Sequence, residues 1–122
     1  QTVHFEPCDL TDIDALRAAV RNVRKALGPI TILVNNAAHD ERHTLESVTP
    51  EYFDDRIRVN LKHQFFAIQE VVPDMKKAKG GAIVNMTSTS YMVAFGGLPV
   101  GWPRRGVAGR TRGFDRCGLD AR

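Results

Sequence analysis

The apolar positions in the first 99 residues predict three short strands. Val3 and Phe5 alternate with polar neighbours and lead to Asp9, which is the pattern of a short, half-buried strand. Residues 30–34 and 82–86 are almost wholly apolar, as in parallel strands that are covered on both faces. The second and third strands are therefore expected to be buried in a parallel sheet.

Two amphipathic helices are predicted between these strands. Residues 11–27 carry an apolar stripe at spacings of three and four, and a Gly-Pro pair ends the helix. A longer helix begins at Thr49, with Pro50 in its first turn, and ends at a Gly-Gly pair. The order strand, helix, strand, helix, strand predicts an α/β fold with right-handed parallel connections. The two stripes comprise Leu16, Val20, Val23 and Leu27, and Phe53, Ile57, Leu61, Phe65, Ile68, Val72 and Met75.

Length and composition narrow the class of protein. With 122 residues the chain holds one domain at most, and its formal net charge is only +3. It begins with Gln1, shows no charged-then-apolar leader and contains no apolar run near the roughly 20 residues of a membrane span. We therefore expect a soluble, cytoplasmic protein without a membrane partner. Cys8 and Cys117 lie far apart in the sequence, so neither a disulfide framework nor a thiolate metal site is predicted.

The positive charge is concentrated after Pro99, where the apolar periodicity is lost. We expect residues 1–99 to form the folded domain and residues 100–122 a basic tail that is disordered or aberrant. A basic tail can bind nucleic acid, but it carries neither interleaved aromatic residues nor a known binding module, so no nucleic-acid partner is expected. The arginines of the tail are Arg104, Arg105, Arg110, Arg112, Arg116 and Arg122.

Small polar residues follow the second and third strands, and one asparagine interrupts the apolar face of the long helix. These are the segments 35–38 and 85–88 and, between them, Asn60. Ligands of open α/β sheets bind at the carboxyl ends of the strands. The order and spacing of these residues resemble the short-chain dehydrogenase/reductase family. The resemblance implies a partial Rossmann-like doubly wound parallel sheet, with three strands and two helices of the full fold.

The resemblance also implies a dinucleotide cofactor, NAD or NADP. Asp9 and Leu10 fall on the family's adenine-contacting positions, while Asn36 and Ala37 belong to its Asn-Asn-Ala-Gly run, which ends in alanine here. Simpler interpretations stay open, because aspartate before a helix is a common cap and paired asparagines are common in turns. The acid or arginine that distinguishes NAD from NADP follows a strand that this sequence does not include.

Two catalytic residues follow from the same resemblance. Asn60 would help to hold a water molecule for proton relay, and Ser88 would hydrogen-bond the substrate oxygen. Asn60 could instead be a buried amide with its hydrogen bonds satisfied in the core. By composition Thr87, Thr89 and Ser90 are as suitable as Ser88, and only the register from the preceding strand selects Ser88.

Two parts of the family's machinery are missing from these 122 residues. The expected Tyr-x-x-x-Lys pair is absent near residues 100–105, where an arginine cannot replace the titratable lysine, and the glycine-rich phosphate turn is absent too. We therefore predict no turnover by this chain, and we hypothesise a frameshift or misassembly of the coding sequence after Pro99. In the usual strand order two absent strands separate the first predicted strand from the others, so we expect a marginal or molten fold.

Residues 36–43 and 49–56 resemble the aldose 1-dehydrogenases of the family, such as D-xylose dehydrogenase, which implies a small-molecule alcohol or aldose substrate. His39 and His43 have the spacing of a helical metal pair, but a third ligand at a fitting distance is lacking, so no metal is predicted. Family members are commonly homo-oligomers packed through the long helix, and the state of this chain is left open. The competing hypothesis is a non-catalytic product, either a truncated remnant or a small binding module with a basic tail.

Overall fold

The computed structural model describes residues 3–39 and 41–86. In chain order these residues form α1 (Ile13–Leu27), β1 (Ile32–Asn35), α2 (Pro50–Ile57), a π turn (Arg58–Lys62), α3 (His63–Lys77) and β2 (Ala82–Asn85). Since α2, the π turn and α3 follow one another without a break, the long predicted helix is present with one wider turn near its middle. The tail at residues 100–122 lies outside the described residues, so the division at residue 99 stays a prediction.

The two strands form a parallel pair. Ile32 lies opposite Ala82 and Asn35 lies opposite Asn85, and the long helix crosses between the strands. The amide of Met86 donates to the carbonyl of Asn35 at 2.9 Å, which continues the ladder beyond the last paired residues. The partial Rossmann-like α/β class is confirmed, and so is the prediction that these two strands are neighbours.

The first predicted strand, which contains Val3 and Phe5, is not formed in the described part of the chain. Val3 and Phe5 are 87% and 81% exposed, and residues 3–9 pair with neither strand. A strand is stable only beside a hydrogen-bonding partner, and the expected strand order places two other strands between this segment and β1. The segment instead contacts α1, where the side chain of Asn22 donates to Glu6 at 2.6 Å.

Local signals explain where the helices begin. The Asp12 carboxylate accepts hydrogen bonds from the amides of Asp14 and Ala15 at 2.9 and 3.0 Å, so Asp12 caps α1. Thr49 caps α2 by accepting from the amide of Tyr52, and proline occupies the next position. None of the helices in the described residues combines the length and apolarity needed to cross a membrane.

The core lies between α1 and α3. Its buried apolar side chains are Leu16, Ala67, Val71 and Met75. Above this core the Asp74 carboxylate accepts from the Arg24 guanidinium at 2.7 Å and from the amide of Ile30 at 3.1 Å. The hydrogen bond from Arg24, and then that from Ile30, lower the pKa of Asp74. One carboxylate therefore fixes the positions of α1, α3 and the chain entering β1 relative to one another.

The opposite face of the sheet is uncovered in the described residues. Ile32, Val34 and Val84 alternate along the strands and are 68%, 54% and 45% exposed. Parallel sheets are normally covered on both faces, which is why these strands are apolar throughout. The sequence pattern thus indicates a second layer that the described residues do not supply.

Candidate functional site

An asparagine pair lies at the carboxyl end of the sheet. The side-chain amide of Asn35 donates to the side-chain oxygen of Asn85 at 2.8 Å, and Asn35 is only 6% exposed. Because the two residues are opposite each other in register, this hydrogen bond ties the ends of β1 and β2 side by side. The segments that leave the two strands therefore start from fixed and adjacent points, at the edge where α/β folds bind ligands.

Asn60 is fully buried, and its side chain is bound to the segment that follows β1. The side-chain oxygen accepts from the amide of His39 at 2.8 Å, and Nδ2 donates to the carbonyls of His39 at 2.8 Å and Arg56 at 3.0 Å. Both Nδ2 hydrogens are thus used within the chain. A water molecule or ligand that bonds to this side chain would have to use the remaining lone pair of its oxygen.

The wider turn of the long helix is centred on Asn60. The side chain of Gln64, which is 5% exposed, donates to the main-chain carbonyl of Asn60 at 3.0 Å. A π turn shifts the helical hydrogen bonds by one residue and alters the direction of nearby carbonyls, and such turns are frequent at functional sites. Gln64 therefore orders the carbonyl of Asn60 within the wider turn.

Asn36 and Ala37 lie exposed just beyond β1, between the fixed residues Asn35 and His39. Their small or short side chains leave the main chain accessible at the sheet edge. Asn60 bonds to His39, which lies three residues beyond Asn36, and Ser88 lies outside the described residues, so a common pocket of Asn36, Asn60 and Ser88 stays a prediction. The structure leaves the assigned roles of all three residues as predictions.

The other predicted cofactor contacts lie before α1. Asp9 is exposed, and its Oδ1 accepts from the amide and the hydroxyl of Thr11, both at 2.8 Å. The amide hydrogen bond, and then the hydroxyl hydrogen bond, lower the pKa of Asp9. Asp9 thus forms a turn leading into α1, and Leu10 within this turn is partly exposed. Their contact with an adenine ring stays a prediction.

The sequence reasoning missed Arg56. This arginine lies one helical turn before Asn60, and its guanidinium contacts His39, Asp55 and the ring of Tyr52. Burial, the largest single effect, lowers the pKa of Arg56, but the hydrogen bond to Asp55 together with the charges of Asp55, Tyr52 and Glu41 outweighs it, so the pKa is raised. The four-residue spacing was the available signal, because residues i and i+4 share a helix face.

The two histidines of the loop contact other side chains near the site. His43 lies against Tyr52, with Nδ1 3.2 Å from the tyrosine hydroxyl and the two rings edge to face. Clusters of three or more metal-ligating side chains are absent from residues 3–39 and 41–86.

Comparisons with known proteins give consistent results. The sequence profile of the family described as short chain dehydrogenase matches residues 1–100. The chain is 40% identical over 113 residues to the protein named probable galactose dehydrogenase GalD from Rhizobium meliloti, which covers 92% of this chain and 44% of that protein. It is 39% identical over 113 residues to D-xylose 1-dehydrogenase from Caulobacter vibrioides, with the same coverage. The chain therefore spans less than half the length of these relatives.

Solved structures of short-chain dehydrogenases also match this chain. A short-chain dehydrogenase/reductase from Serratia marcescens is 32% identical with a TM-score of 0.73, over 82% of this chain and 40% of that one. A protein from Sinorhizobium meliloti described as a short-chain alcohol dehydrogenase is 31% identical with a TM-score of 0.78, over 88% of this chain and 43% of that one. Both matches extend over most of the chain, so the described elements have the same arrangement as in these proteins.

Proposed function

Because this chain belongs to the short-chain dehydrogenase family, we propose that it carries part of the active site of an NAD(P)-dependent oxidoreductase. The substrate would be a hydroxyl or carbonyl compound, and a sugar in particular. The relatives named as galactose and D-xylose dehydrogenases support the sugar substrate. The observation that carries the proposal is the juxtaposition of the strand ends and the π turn through Asn35, Asn60 and His39.

The residues at the sheet edge fit the nicotinamide end of the cofactor. Asn35 is committed to Asn85 and keeps the strand ends together, so the exposed main chain at Asn36 and Ala37 is accessible to a ribose or carboxamide. The bound nicotinamide would supply the hydride acceptor. Asn60 would help to hold a water molecule, and Ser88 would donate to the substrate oxygen.

The 122-residue polypeptide itself is proposed to be inactive. After Ser88 its sequence contains Tyr91, but the residue four positions later is Phe95 rather than lysine. A lysine at that position would lower the pKa of a phenol from its ordinary value of about 10 and so allow proton exchange near neutral pH, and the sequence has none there. Weak cofactor binding without turnover is the expected behaviour.

Cofactor binding and turnover are tested separately on the full 122-residue chain. NAD and NADP are titrated while the backbone amides are followed by NMR, and saturable shifts are expected at Asn36 and Asn60. Asn36→Ala should weaken this response, whereas Asn22→Ala on the exposed surface of α1 is the matched control and should not. Absence of saturable shifts in the wild type would contradict the cofactor site.

Turnover is measured with a panel of aldoses by following the absorbance of the reduced nicotinamide. No reaction is expected, and a robust rate would contradict the proposed inactivity. Retention of the chain on heparin that is abolished by salt, together with absent cofactor shifts, would favour the binding-module alternative.

A further inference from the structure

We propose that Arg56 is a positioning residue of this site, which acts through His39 to hold the segment following β1. The inference rests on the proposed function for the identity of the ligand, but the contacts themselves do not depend on it. Arg56 ends the segment 49–56 that resembles the aldose 1-dehydrogenases, but the resemblance gave it no role. Its guanidinium is nevertheless held in the same network as the buried Asn60.

Arg56 is fixed on several sides. Its side chain is only 11% exposed, its guanidinium lies 5.2 Å from the centre of the Tyr52 ring, and Nη2 donates to the carboxylate of Asp55. Its main-chain carbonyl also accepts from the side chain of Asn60. A guanidinium held in this way has little rotamer freedom left, so it can impose a position on whatever it contacts.

What it contacts is His39. Nη1 of Arg56 lies 2.6 Å from Nδ1 of the imidazole and 3.2 Å from the carbonyl oxygen of the same residue. An arginine can only donate, so Nδ1 has to accept and the imidazole proton has to be on Nε2. Nε2 in turn faces the carboxylate of Glu41 at 3.8 Å. Arg56 thus selects one tautomer and one orientation of the ring.

His39 is consequently held at three points. Asn60 bonds to both its amide and its carbonyl, and Arg56 bonds to its ring and its carbonyl. Four residues earlier in the chain, Asn35 is fixed by the sheet and by Asn85. The three residues 36–38 therefore span two fixed ends. Release of His39 would free the segment that we assign to the cofactor, even though Arg56 itself need not touch the ligand.

The test compares Arg56→Met with Arg58→Met. Both arginines pair with Asp55, but Arg58 is 53% exposed and binds that carboxylate at 2.6 Å without reaching His39. In the wild type, the ¹⁵N resonances of the imidazole should show the proton on Nε2. In Arg56→Met we expect mixed tautomers, roughly tenfold faster exchange of the His39 amide and a weaker cofactor response at Asn36, with none of these changes in Arg58→Met. Unchanged tautomer and exchange rate in Arg56→Met would overturn the proposal.

His39→Phe provides a second route that leaves Arg56 and its packing in place. It should weaken the cofactor response at Asn36 as Arg56→Met does. The response of the double variant should be no weaker than that of either single variant. Additive effects in the double variant, or an unchanged response in His39→Phe, would overturn the proposal even if Arg56→Met fails to fold. If the wild type shows no cofactor response, the proposed function fails, while the tautomer and exchange measurements still decide the role of Arg56.

Discussion

Asn60 permits a stringent test of the hydrogen-bond pattern, because aspartate has nearly the same shape as asparagine but lacks its donor. Asn60→Asp keeps an oxygen to accept from the amide of His39. It replaces the donor to the carbonyls of His39 and Arg56 by a second carboxylate oxygen, which would lie against two acceptors. Asn60→Ala removes all the side-chain hydrogen bonds without adding a charge.

The expected loss in the free energy of unfolding follows from the hydrogen bonds that Asn60 makes. Each of the bonds lost in Asn60→Ala contributes about 0.5–1.5 kcal/mol net, so the three together predict a loss of about 1.5–4.5 kcal/mol in the free energy of unfolding. Asn60→Asp should lose about 3–5 kcal/mol at neutral pH, because it leaves an uncompensated charge at a site that is 0% exposed. Aspartate should therefore be the more damaging replacement, although it is the closer in shape.

Urea denaturation followed by circular dichroism measures both variants, with hydrogen exchange of the His39 amide as a local readout. Burial beside carbonyl oxygens raises the folded-state pKa of the introduced carboxyl above its unfolded value of about 3.9. The free energy of unfolding of Asn60→Asp therefore falls as pH rises through the folded-state pKa. The deficit of Asn60→Asp should accordingly shrink on acidification, and that of Asn60→Ala should not. Asn22→Ala, on an exposed surface, should change the stability by only about 0.5 kcal/mol or less. An Asn60→Asp chain more stable than Asn60→Ala at neutral pH would refute the described geometry.

Two further substitutions test the packing and the electrostatics of the scaffold. Gly81→Ala would place its Cβ against Cγ of Met75 and 2.9 Å from Cβ of that residue, so we expect a loss of about 1–3 kcal/mol in the free energy of unfolding. Gly80→Ala meets no atom within 4 Å and should be nearly neutral when both variants are compared by urea denaturation. The pKa of Asp74 is lowered mainly by Arg24, so its contribution is present above the unfolded-state pKa of about 3.9 and lost as pH falls through the folded-state value. Asp74→Asn should therefore flatten the acid limb of the stability profile, and an unchanged limb would contradict this role.

The uncovered sheet face explains why the stability of this chain is expected to be low. Ile32 and Val34 are apolar because a second layer covers such strands in parallel sheets, yet both are more than half exposed here. The relatives are more than twice as long as the matched region, which is consistent with further elements in those proteins. The expectation of a marginal or molten fold stays a prediction, and the urea transition and amide dispersion of the same chain will test it.

Local sequence signals were sufficient for most of the regular structure. The amphipathic stripe and the Gly-Pro stop placed α1 to within two residues of its observed bounds, and the apolar runs located both strands of the sheet. The strand-order rule also identified which strands are neighbours. The positions of the helices and strands depend on backbone preferences and on periodic burial, both of which are encoded within a few neighbouring residues.

The tertiary structure alone decided which predicted strands are paired and which hydrogen bonds form at the site. Val3 and Phe5 have the pattern of a strand but remain unpaired, since a strand needs a partner that its own residues cannot provide. Asn60 was recognisable as a misplaced polar residue, but its partner His39 lies 21 residues away in sequence, and no local pattern specifies that contact. The four-residue spacing places Arg56 on the helix face of Asn60, but no local pattern specifies its contact with His39 either. The sequence by itself determined the helices and the two paired strands, whereas the pairing of the first predicted strand and the hydrogen bonds that organise the site depend on how the elements pack in three dimensions.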